Sequence, residues 1–352
     1  MRFKLFSVYC SLFLLLACTR PSQPPNQTFL YVYRFEPPAL VEFYEDFQTT
    51  REIPFSLPPD CGLFDLFSAP NGPFLLVELS CPNGQTVLFV DTESGSVTQP
   101  VTDADSHFLA WAWDGRFVYL KVDSLGNAGV VRAYPDGRRE DLHITGWTYD
   151  LSPRPDSDDF IFTFSGGLGY GSELHAARGN GRNNRLLFED PYNYIAFARY
   201  SPDGSRIAFI KIPDTQTPFT VGELWLMDAD GSNPRRLAEV DAGHGYAANW
   251  SPDGKWVVFV QRANPQEESA NHSPDSLISN IYRVDVESGE LKQVTFFPGG
   301  RAETPHWSPA GNILAFNTFL DGRMEVQIVD VPAGEIRPLA VESACCPAWV
   351  RK

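Results

Sequence analysis

Residues 250–254 read Trp-Ser-Pro-Asp-Gly and lead into the apolar run Lys-Trp-Val-Val-Phe-Val. Proline presets the backbone for the second position of a type I turn, and aspartate suits the third. Glycine then takes the left-handed conformation that closes a short hairpin. The pattern returns at 200–204 as Tyr-Ser-Pro-Asp-Gly and at 307–311 as Trp-Ser-Pro-Ala-Gly. Each copy therefore predicts the aromatic end of one β-strand, a tight turn and the start of the next strand.

Weaker copies extend this repeat over most of the chain. The large side chain that precedes each turn recurs at a mean spacing of about 47 residues, which is the length of a propeller blade and not of a solenoid repeat. A second hairpin, typified by residues 223–231, recurs seven times and so gives the same count. The anchor residues are Phe67, Trp111, Leu151, Tyr200, Trp250, Trp307 and Trp349.

The two ends of the chain complement each other. If the strands of a blade are named A to D from the inside outward, the chain opens with a B-like strand at 29–35 and ends with a lone A-like strand at 345–350. Pairing these strands would close a ring and remove open sheet edges. We therefore predict an all-β, seven-bladed propeller of four-stranded blades over residues 28–352. Six blades with a stray amino-terminal hairpin are the alternative.

The turn at 250–254, together with the Asp-Ala-Asp-Gly hairpin at 228–231, resembles the WD40-like (PD40) repeats of propeller proteins. Such repeats occur in TolB-like propellers, in prolyl oligopeptidase relatives and in tricorn-type proteases. The resemblance is best over 196–236, 246–295 and 303–337, and it implies a fold but no particular activity. The sequence contains no Gly-x-Ser-x-Gly elbow, and we expect neither the α/β domain of TolB nor a hydrolase domain. Proteolysis is therefore not implied, and a count of seven blades differs from the six of TolB.

The amino terminus has the order of a lipoprotein signal. Arg2 and Lys4 precede an apolar run at 5–16, and Ala17-Cys18 follows. This arrangement resembles the bacterial lipobox and predicts a signal peptide at 1–17, a lipidated Cys18 and a Pro-rich tether at 18–27. An ordinary signal peptide with an incidental Cys18 is the alternative. The prediction places the protein in the bacterial cell envelope, on the periplasmic or cell-surface side and anchored by lipid.

Charge and histidine spacing argue against several kinds of ligand. Without Arg2 and Lys4, 26 basic residues face 44 acidic ones, and the net charge of −18 disfavours nucleic acid and anionic glycans. The six histidines are scattered without a His-x-x-x-His pair. The pairs Asp103/Asp105 and Asp228/Asp230 suit turn chemistry better than calcium, and the glycine-rich stretch 166–171 lacks the following helix of a phosphate loop. We predict no metal, cofactor or catalytic residue.

Two kinds of connection alternate in such a ring. The A–B and C–D turns share one face and are short, whereas the B–C and D–A loops share the other face and vary in length. Variable loops on a rigid scaffold commonly bind partners. The longest one, 262–279, is polar, and disorder is the simpler interpretation of it. Polar and aromatic residues at the starts of A strands should ring the channel mouth on this face. They are His107, Trp147, Tyr192, Tyr194, His244, Tyr246, Arg301 and Glu303.

These residues support two functions. The first is a monomeric binding or scaffold module for a protein or peptide in the cell envelope. The second is an envelope hydrolase or lyase that acts on sugars, with His244, Arg301 and Glu303 at the channel mouth. If the eight residues only pack between strands, neither function follows from them.

Four cysteines follow Cys18. Cys61 and Cys81 are equidistant from the turn at 69–72, so a cross-strand disulfide is predicted in an exported protein. Cys345 and Cys346 are adjacent on the closing strand. A vicinal disulfide, two reduced thiols and a bridge to Cys61 all remain open for them.

Overall fold

The computed structural model describes residues 27–102, 105–124, 127–145, 147–242 and 247–352. These residues form seven four-stranded antiparallel sheets, with two short 3-10 helices, Glu268–Asn271 and Pro274–Ser276. The predicted seven-bladed propeller is confirmed, and the six-bladed alternative is wrong. Within the described ranges, no helix is long and apolar enough to cross a membrane.

The strands follow the chain from the inside of each blade to the outside. Blade 1 contains β28 (Ala344–Arg351), β1 (Thr28–Arg34), β2 (Ala39–Phe43) and β3 (Thr50–Pro54). Blade 2 contains β4 (Gly62–Ser68), β5 (Phe74–Cys81), β6 (Gly84–Asp91) and β7 (Val97–Thr98). Blade 3 contains β8 (Asp105–Trp111), β9 (Val118–Ser124), β10 (Asn127–Ala133) and β11 (Arg139–Thr145). Blade 4 contains β12 (Trp147–Pro153), β13 (Phe160–Ser165), β14 (Ser172–Ala177) and β15 (Arg185–Asp190).

The last three blades carry the clearest copies of the repeat. Blade 5 contains β16 (Asn193–Tyr200), β17 (Arg206–Pro213), β18 (Val221–Asp228) and β19 (Arg235–Asp241). Blade 6 contains β20 (Asn249–Trp250), β21 (Trp256–Arg262), β22 (Ser279–Asp285) and β23 (Leu291–Gln293). Blade 7 contains β24 (Arg301–Trp307), β25 (Ile313–Leu320), β26 (Arg323–Asp330) and β27 (Glu335–Pro338). We call the face of the A–B and C–D turns the turn face, and the face of the B–C and D–A loops the variable-loop face.

Blade 1 closes the ring because it combines the two ends of the chain. Strand β28 pairs antiparallel with β1, with Thr28 opposite Arg351 and Leu30 opposite Trp349. The same end of β28 carries an ion pair, in which Lys352 Nζ lies 2.6 Å from Glu42 Oε2. The Glu42 carboxylate is buried, so Lys352, together with Arg51 Nη2 at 3.1 Å, neutralises a charge inside the first blade.

The core consists of apolar side chains that fill the wedges between neighbouring blades. Between blades 2 and 3, Leu76 and Phe89 pack with Trp111 and Val118, and all four side chains are buried. The rings of Phe89 and Trp111 lie 5.6 Å apart. Because each blade packs only against its two neighbours, the stability of the ring depends on an unbroken series of such contacts.

The turn motif is held together by its own serine and aspartate. In blade 6, Ser251 Oγ donates to Asp253 Oδ1 at 2.5 Å and accepts from the Trp256 backbone N–H at 2.9 Å. The backbone N–H of Gly254 donates to Ser251 O at 2.9 Å, and Gly254 has a φ of +69°. The predicted tight turn, with glycine in the left-handed conformation, is therefore observed.

In several blades the tryptophan of the motif also links the blade to the preceding one. The Trp250 indole N–H donates to the carbonyl of Arg199 in blade 5 at 3.1 Å. Trp349 donates in the same way to His306 O at 3.2 Å, and Trp111 donates to Phe67 O at 3.1 Å. These tryptophans of the repeat thus end a strand and also donate a hydrogen bond to the neighbouring blade.

Gly254→Ala is expected to destabilise the protein by about 1–2 kcal/mol, because a side chain with a Cβ is strained at positive φ. The added methyl group itself has room, since its nearest neighbour would be Pro202 Cδ at 3.6 Å. Gly299→Ala is the control, because Gly299 has an ordinary φ and open space around it. Equal free energies of unfolding in urea for the two variants would contradict this explanation.

Candidate functional site

Around blade 4, the variable-loop face carries four large apolar side chains that are mostly exposed. Tyr192 is 80% exposed, Tyr170 76%, Trp147 64% and Leu168 52%. We call these four residues the aromatic patch. Trp147 begins β12, Leu168 and Tyr170 lie in the B–C loop of blade 4, and Tyr192 lies in the turn from blade 4 to blade 5. Exposed apolar groups gathered in one region are characteristic of interaction surfaces.

Hydrogen bonds fix the loops that carry the patch. Asp214 Oδ2 accepts the backbone N–H groups of Gly169 at 2.8 Å and Gly171 at 3.0 Å. The Asp214 backbone N–H donates to Tyr192 O at 3.1 Å. Ser165 Oγ donates to Gly171 O at 2.7 Å, and Ser165 is paired with Trp147 across β12 and β13. Asp214 of blade 5 therefore ties the loop of Tyr170, through its carboxylate, to the turn of Tyr192, through its backbone N–H.

This arrangement explains the glycine-rich stretch at 166–171. Its backbone N–H groups bind a carboxylate of the protein itself, in place of the phosphate of a nucleotide. Gly171 has a φ of +63°, and a Cβ there would lie 2.1 Å from Asp190 O. Glycine is therefore required for the close approach of two loops.

A buried ion pair supports the turn of Tyr192 from below. Lys211 Nζ lies 2.6 Å from Asp190 Oδ2, and the Tyr192 backbone N–H donates to Asp190 Oδ1 at 2.9 Å. Burial opposes ionisation of Asp190, but the hydrogen bonds from Lys211, Tyr192 and Asn193 hold its pKa below the ordinary value. The carboxylate therefore remains charged and keeps the turn in place.

Tyr194 lies beneath the patch and is partly buried. Its ring is 6.1 Å from that of Tyr149, whose hydroxyl donates to Ile195 O at 2.8 Å. Burial, the largest cause, raises the pKa of both tyrosines above the ordinary value. Tyr194 therefore supports the surface, whereas Trp147 and Tyr192 form it.

Arg301 and Glu303 lie on blade 7, apart from the patch. Arg301 Nε lies 2.5 Å from Glu303 Oε1, and Arg301 Nη1 donates to Pro274 O at 2.6 Å. The guanidinium also lies 4.6 Å from the centre of the Phe319 ring. These two predicted residues are thus brought together, but Arg301 is already engaged by groups of the protein.

The loop at 263–278 is folded, so the interpretation of this segment as disordered is wrong. Its Asn271 accepts a hydrogen bond from Arg262 Nη1 at 2.9 Å, and the Phe219 backbone N–H donates to Asn271 O at 3.2 Å. With the contact between Pro274 and Arg301, the loop reaches blades 5, 6 and 7. It buries two apolar side chains, Ala270 and Leu277.

His107 belongs to a third group, between blades 2 and 3. Its Nδ1 lies 3.5 Å from Glu78 Oε1, and the Phe108 backbone N–H donates to the same oxygen at 3.3 Å. Asp65 lies opposite Glu78 in the pairing of β4 with β5. The predicted site residues are therefore divided among three places on the ring. His244, Tyr246, Asp103 and Cys18 lie outside the described residues.

Asp65 gives a prediction for the dependence of stability on pH. Burial, with a smaller contribution from Glu78, raises the pKa of Asp65 to about 7, against about 3.9 in an unfolded chain. The native state is therefore destabilised as pH rises from about 4 through about 7. Asp65→Asn should raise the melting temperature at pH 8 and leave it nearly unchanged at pH 4. An equal change at both pH values would contradict the assignment.

Both cysteine pairs are bonded in the structure. Cys61, which directly precedes β4, and Cys81, which ends β5, have an S–S distance of 2.01 Å. Cys345 and Cys346 have an S–S distance of 2.19 Å. All four residues belong to one apolar cluster between blades 1 and 2. The oxidation state of each pair stays a prediction, which mass spectrometry of the non-reduced protein checks.

A cleft of about 360 Å³ lies on the turn face between blades 5 and 6. Asp203 and Asp253 line it, but each accepts a hydrogen bond from the serine of its own turn. Those bonds, together with further donors in the turns, lower the pKa of Asp253 and hold that of Asp203 at about 2. The two aspartates of this cleft are thus engaged in hydrogen bonds that stabilise the turns.

The acidic pair at 228 and 230 has the same role. Asp228 Oδ2 accepts from Asn233 Nδ2 at 2.6 Å, and Asp230 Oδ1 accepts from the Ser232 backbone N–H at 2.9 Å. Among the described residues, no group of three or more His, Cys, Asp or Glu side chains is arranged to hold a metal ion.

Comparisons with known proteins agree on the fold. No protein-family model matches the chain. An uncharacterised protein of Agrobacterium fabrum is 23% identical over 241 residues, which is 65% of this chain and 74% of the relative. TolB from Acinetobacter baumannii has a TM-score of 0.50 at 17% identity, over 89% of this chain and 78% of that one. An oligogalacturonate lyase from Vibrio parahaemolyticus has a TM-score of 0.58 at 12% identity, over 90% of this chain and 87% of that one. The chain therefore has a TolB-like propeller fold, here with seven blades.

Proposed function

We propose that this protein is a binding or scaffold module of the bacterial cell envelope and holds a protein or peptide through the aromatic patch. The observation that carries the proposal is the exposure of Trp147, Leu168, Tyr170 and Tyr192, at 52–80%, on neighbouring loops of the variable-loop face. Tryptophan and tyrosine are enriched among the residues that supply most of the affinity in protein interfaces.

The loops of the patch are fixed before a partner arrives. The bonds from Gly169 and Gly171 to Asp214 join blade 4 to blade 5, and the ion pair of Asp190 with Lys211 supports the adjoining turn. A surface that is already ordered loses less conformational entropy on binding. This favours recognition by a rigid face over folding around the partner.

The envelope location rests on the sequence. The basic start, the apolar run and Ala17-Cys18 suit export, cleavage and lipidation at Cys18. The fold shared with TolB is consistent with such a location. The sugar-cleaving alternative gains no support from Arg301 and Glu303, because each neutralises the other.

The triple variant Trp147→Ala, Tyr170→Ala, Tyr192→Ala is expected to reduce capture of the partner from envelope extract about tenfold or more. The double variant Phe296→Ala, Met324→Ala is the control. Phe296 is 71% exposed in the loop between blades 6 and 7, and Met324 is 40% exposed at the start of β26, on the same face. This control should capture the partner as the wild type does. Equal capture by all three proteins, each with an unchanged melting temperature, would refute the proposal.

A further inference from the structure

Both ends of the described chain lie at the turn face. The Gln27 backbone N–H donates to Lys352 O at 3.1 Å, and the Lys352 N–H donates to Gln27 O at 3.0 Å. Arg351 Nη2 also donates to Pro309 O, in the A–B turn of blade 7, at 3.4 Å. Residues 27 and 352 thus occupy the place that an A–B turn has in the other blades.

The aromatic patch lies at the opposite end of the strands. An A strand runs from the variable-loop face to the turn face, as β12 does from Trp147 to Pro153. At about 3.3 Å per residue, a strand of this length spans roughly 20 Å. Trp147 and Gln27 are therefore separated by the full thickness of the ring.

The segment between Cys18 and Gln27 is short. Nine peptide units reach at most about 30 Å when fully extended. A lipid on Cys18 would therefore hold the entry point of the chain, and the turn face around it, within about 30 Å of the bilayer.

We infer that the ring faces the anchoring membrane with its turn face and presents the aromatic patch to the opposite side. This inference rests on the lipid anchoring proposed above. The partner is then a protein that is not embedded in the same bilayer. It approaches from the aqueous side, where the patch is accessible.

The orientation is measurable by energy transfer from the protein to the bilayer. The lipidated protein is reconstituted in vesicles of phosphatidylcholine and phosphatidylglycerol that contain a rhodamine lipid. A donor dye is attached at Ala333→Cys, in an exposed C–D turn of the turn face, or at Leu168→Cys, in the patch. We expect several-fold higher transfer from position 333.

The outcomes separate the two proposals. Equal transfer, or higher transfer from position 168, in a protein that floats with the vesicles overturns the orientation and leaves the anchor intact. A wild-type protein that does not float, or a Cys18→Ala variant that floats equally well, overturns the anchor and the orientation with it. The patch variant Tyr170→Ala, Tyr192→Ala should keep the difference in transfer, since orientation does not depend on partner binding.

Discussion

A chain that ends at Ser343 is expected to lose the closed ring and to be recovered as aggregated or protease-sensitive protein. The truncation removes β28 and leaves β1 as an open sheet edge. It also removes Ala344, Ala348 and Val350, which are at most 4% exposed. The buried carboxylate of Glu42 loses Lys352 as well and keeps Arg51, at 3.1 Å, as a cationic partner, so the truncation also weakens the compensation of a buried charge.

Adding the missing strand back distinguishes ring closure from general damage. A peptide of residues 344–352 should restore protease resistance and a cooperative melting transition to the truncated protein. The same peptide with Ala348→Asp and Val350→Asp should not, because both positions are buried. A truncated protein that melts as the full chain does, without any peptide, would contradict the role of β28.

Arg262→Met is expected to lower the free energy of unfolding by about 3–5 kcal/mol. Arg262 Nε lies 2.6 Å from Asp241 Oδ1, and the two side chains are 1% and 0% exposed. The variant keeps the apolar length of the side chain but removes the charge, so the Asp241 carboxylate stays buried without this cation. Unfolding in urea, followed by circular dichroism, measures the change.

The control is an ion pair on the outside of blade 5. Arg236 Nε lies 2.8 Å from Glu223 Oε1, and these side chains are 46% and 41% exposed. Arg236→Met should cost no more than about 1 kcal/mol, because exposed ion pairs contribute little. Similar losses in both variants would show that burial does not decide the strength of the pair.

The fold was accessible from the sequence because its signals are local and repeated. The residue types at 250–254 predict a tight hairpin turn without any distant contact. The regular spacing of the anchor residues from Phe67 to Trp349 gives the number of blades. The closing strand β28 could be predicted because a ring of equal blades leaves one A strand missing at the start. The interblade bond from Trp250 to Arg199 O was not predictable, since it depends on how two blades are placed side by side.

The site was less accessible because it depends on contacts between blades. Trp147 and Tyr192 were among the candidates, but Leu168 and Tyr170 were overlooked inside a stretch that was noted only for its glycines. The available signal was a lone tyrosine and a leucine among glycines, with no strand to bury them. The role of Asp214 could not be anticipated, since its partners Gly169 and Gly171 lie more than 40 residues away.

The central claim is that a partner contacts the aromatic patch, and photo-crosslinking in living cells tests it most directly. Benzoylphenylalanine is placed at Tyr170, which is 76% exposed in the patch, or at Phe296, which is 71% exposed in a loop between blades 6 and 7. We predict a discrete crosslinked product from position 170 and none of the same size from position 296. No product from position 170, or the same product from both positions, would contradict the claim.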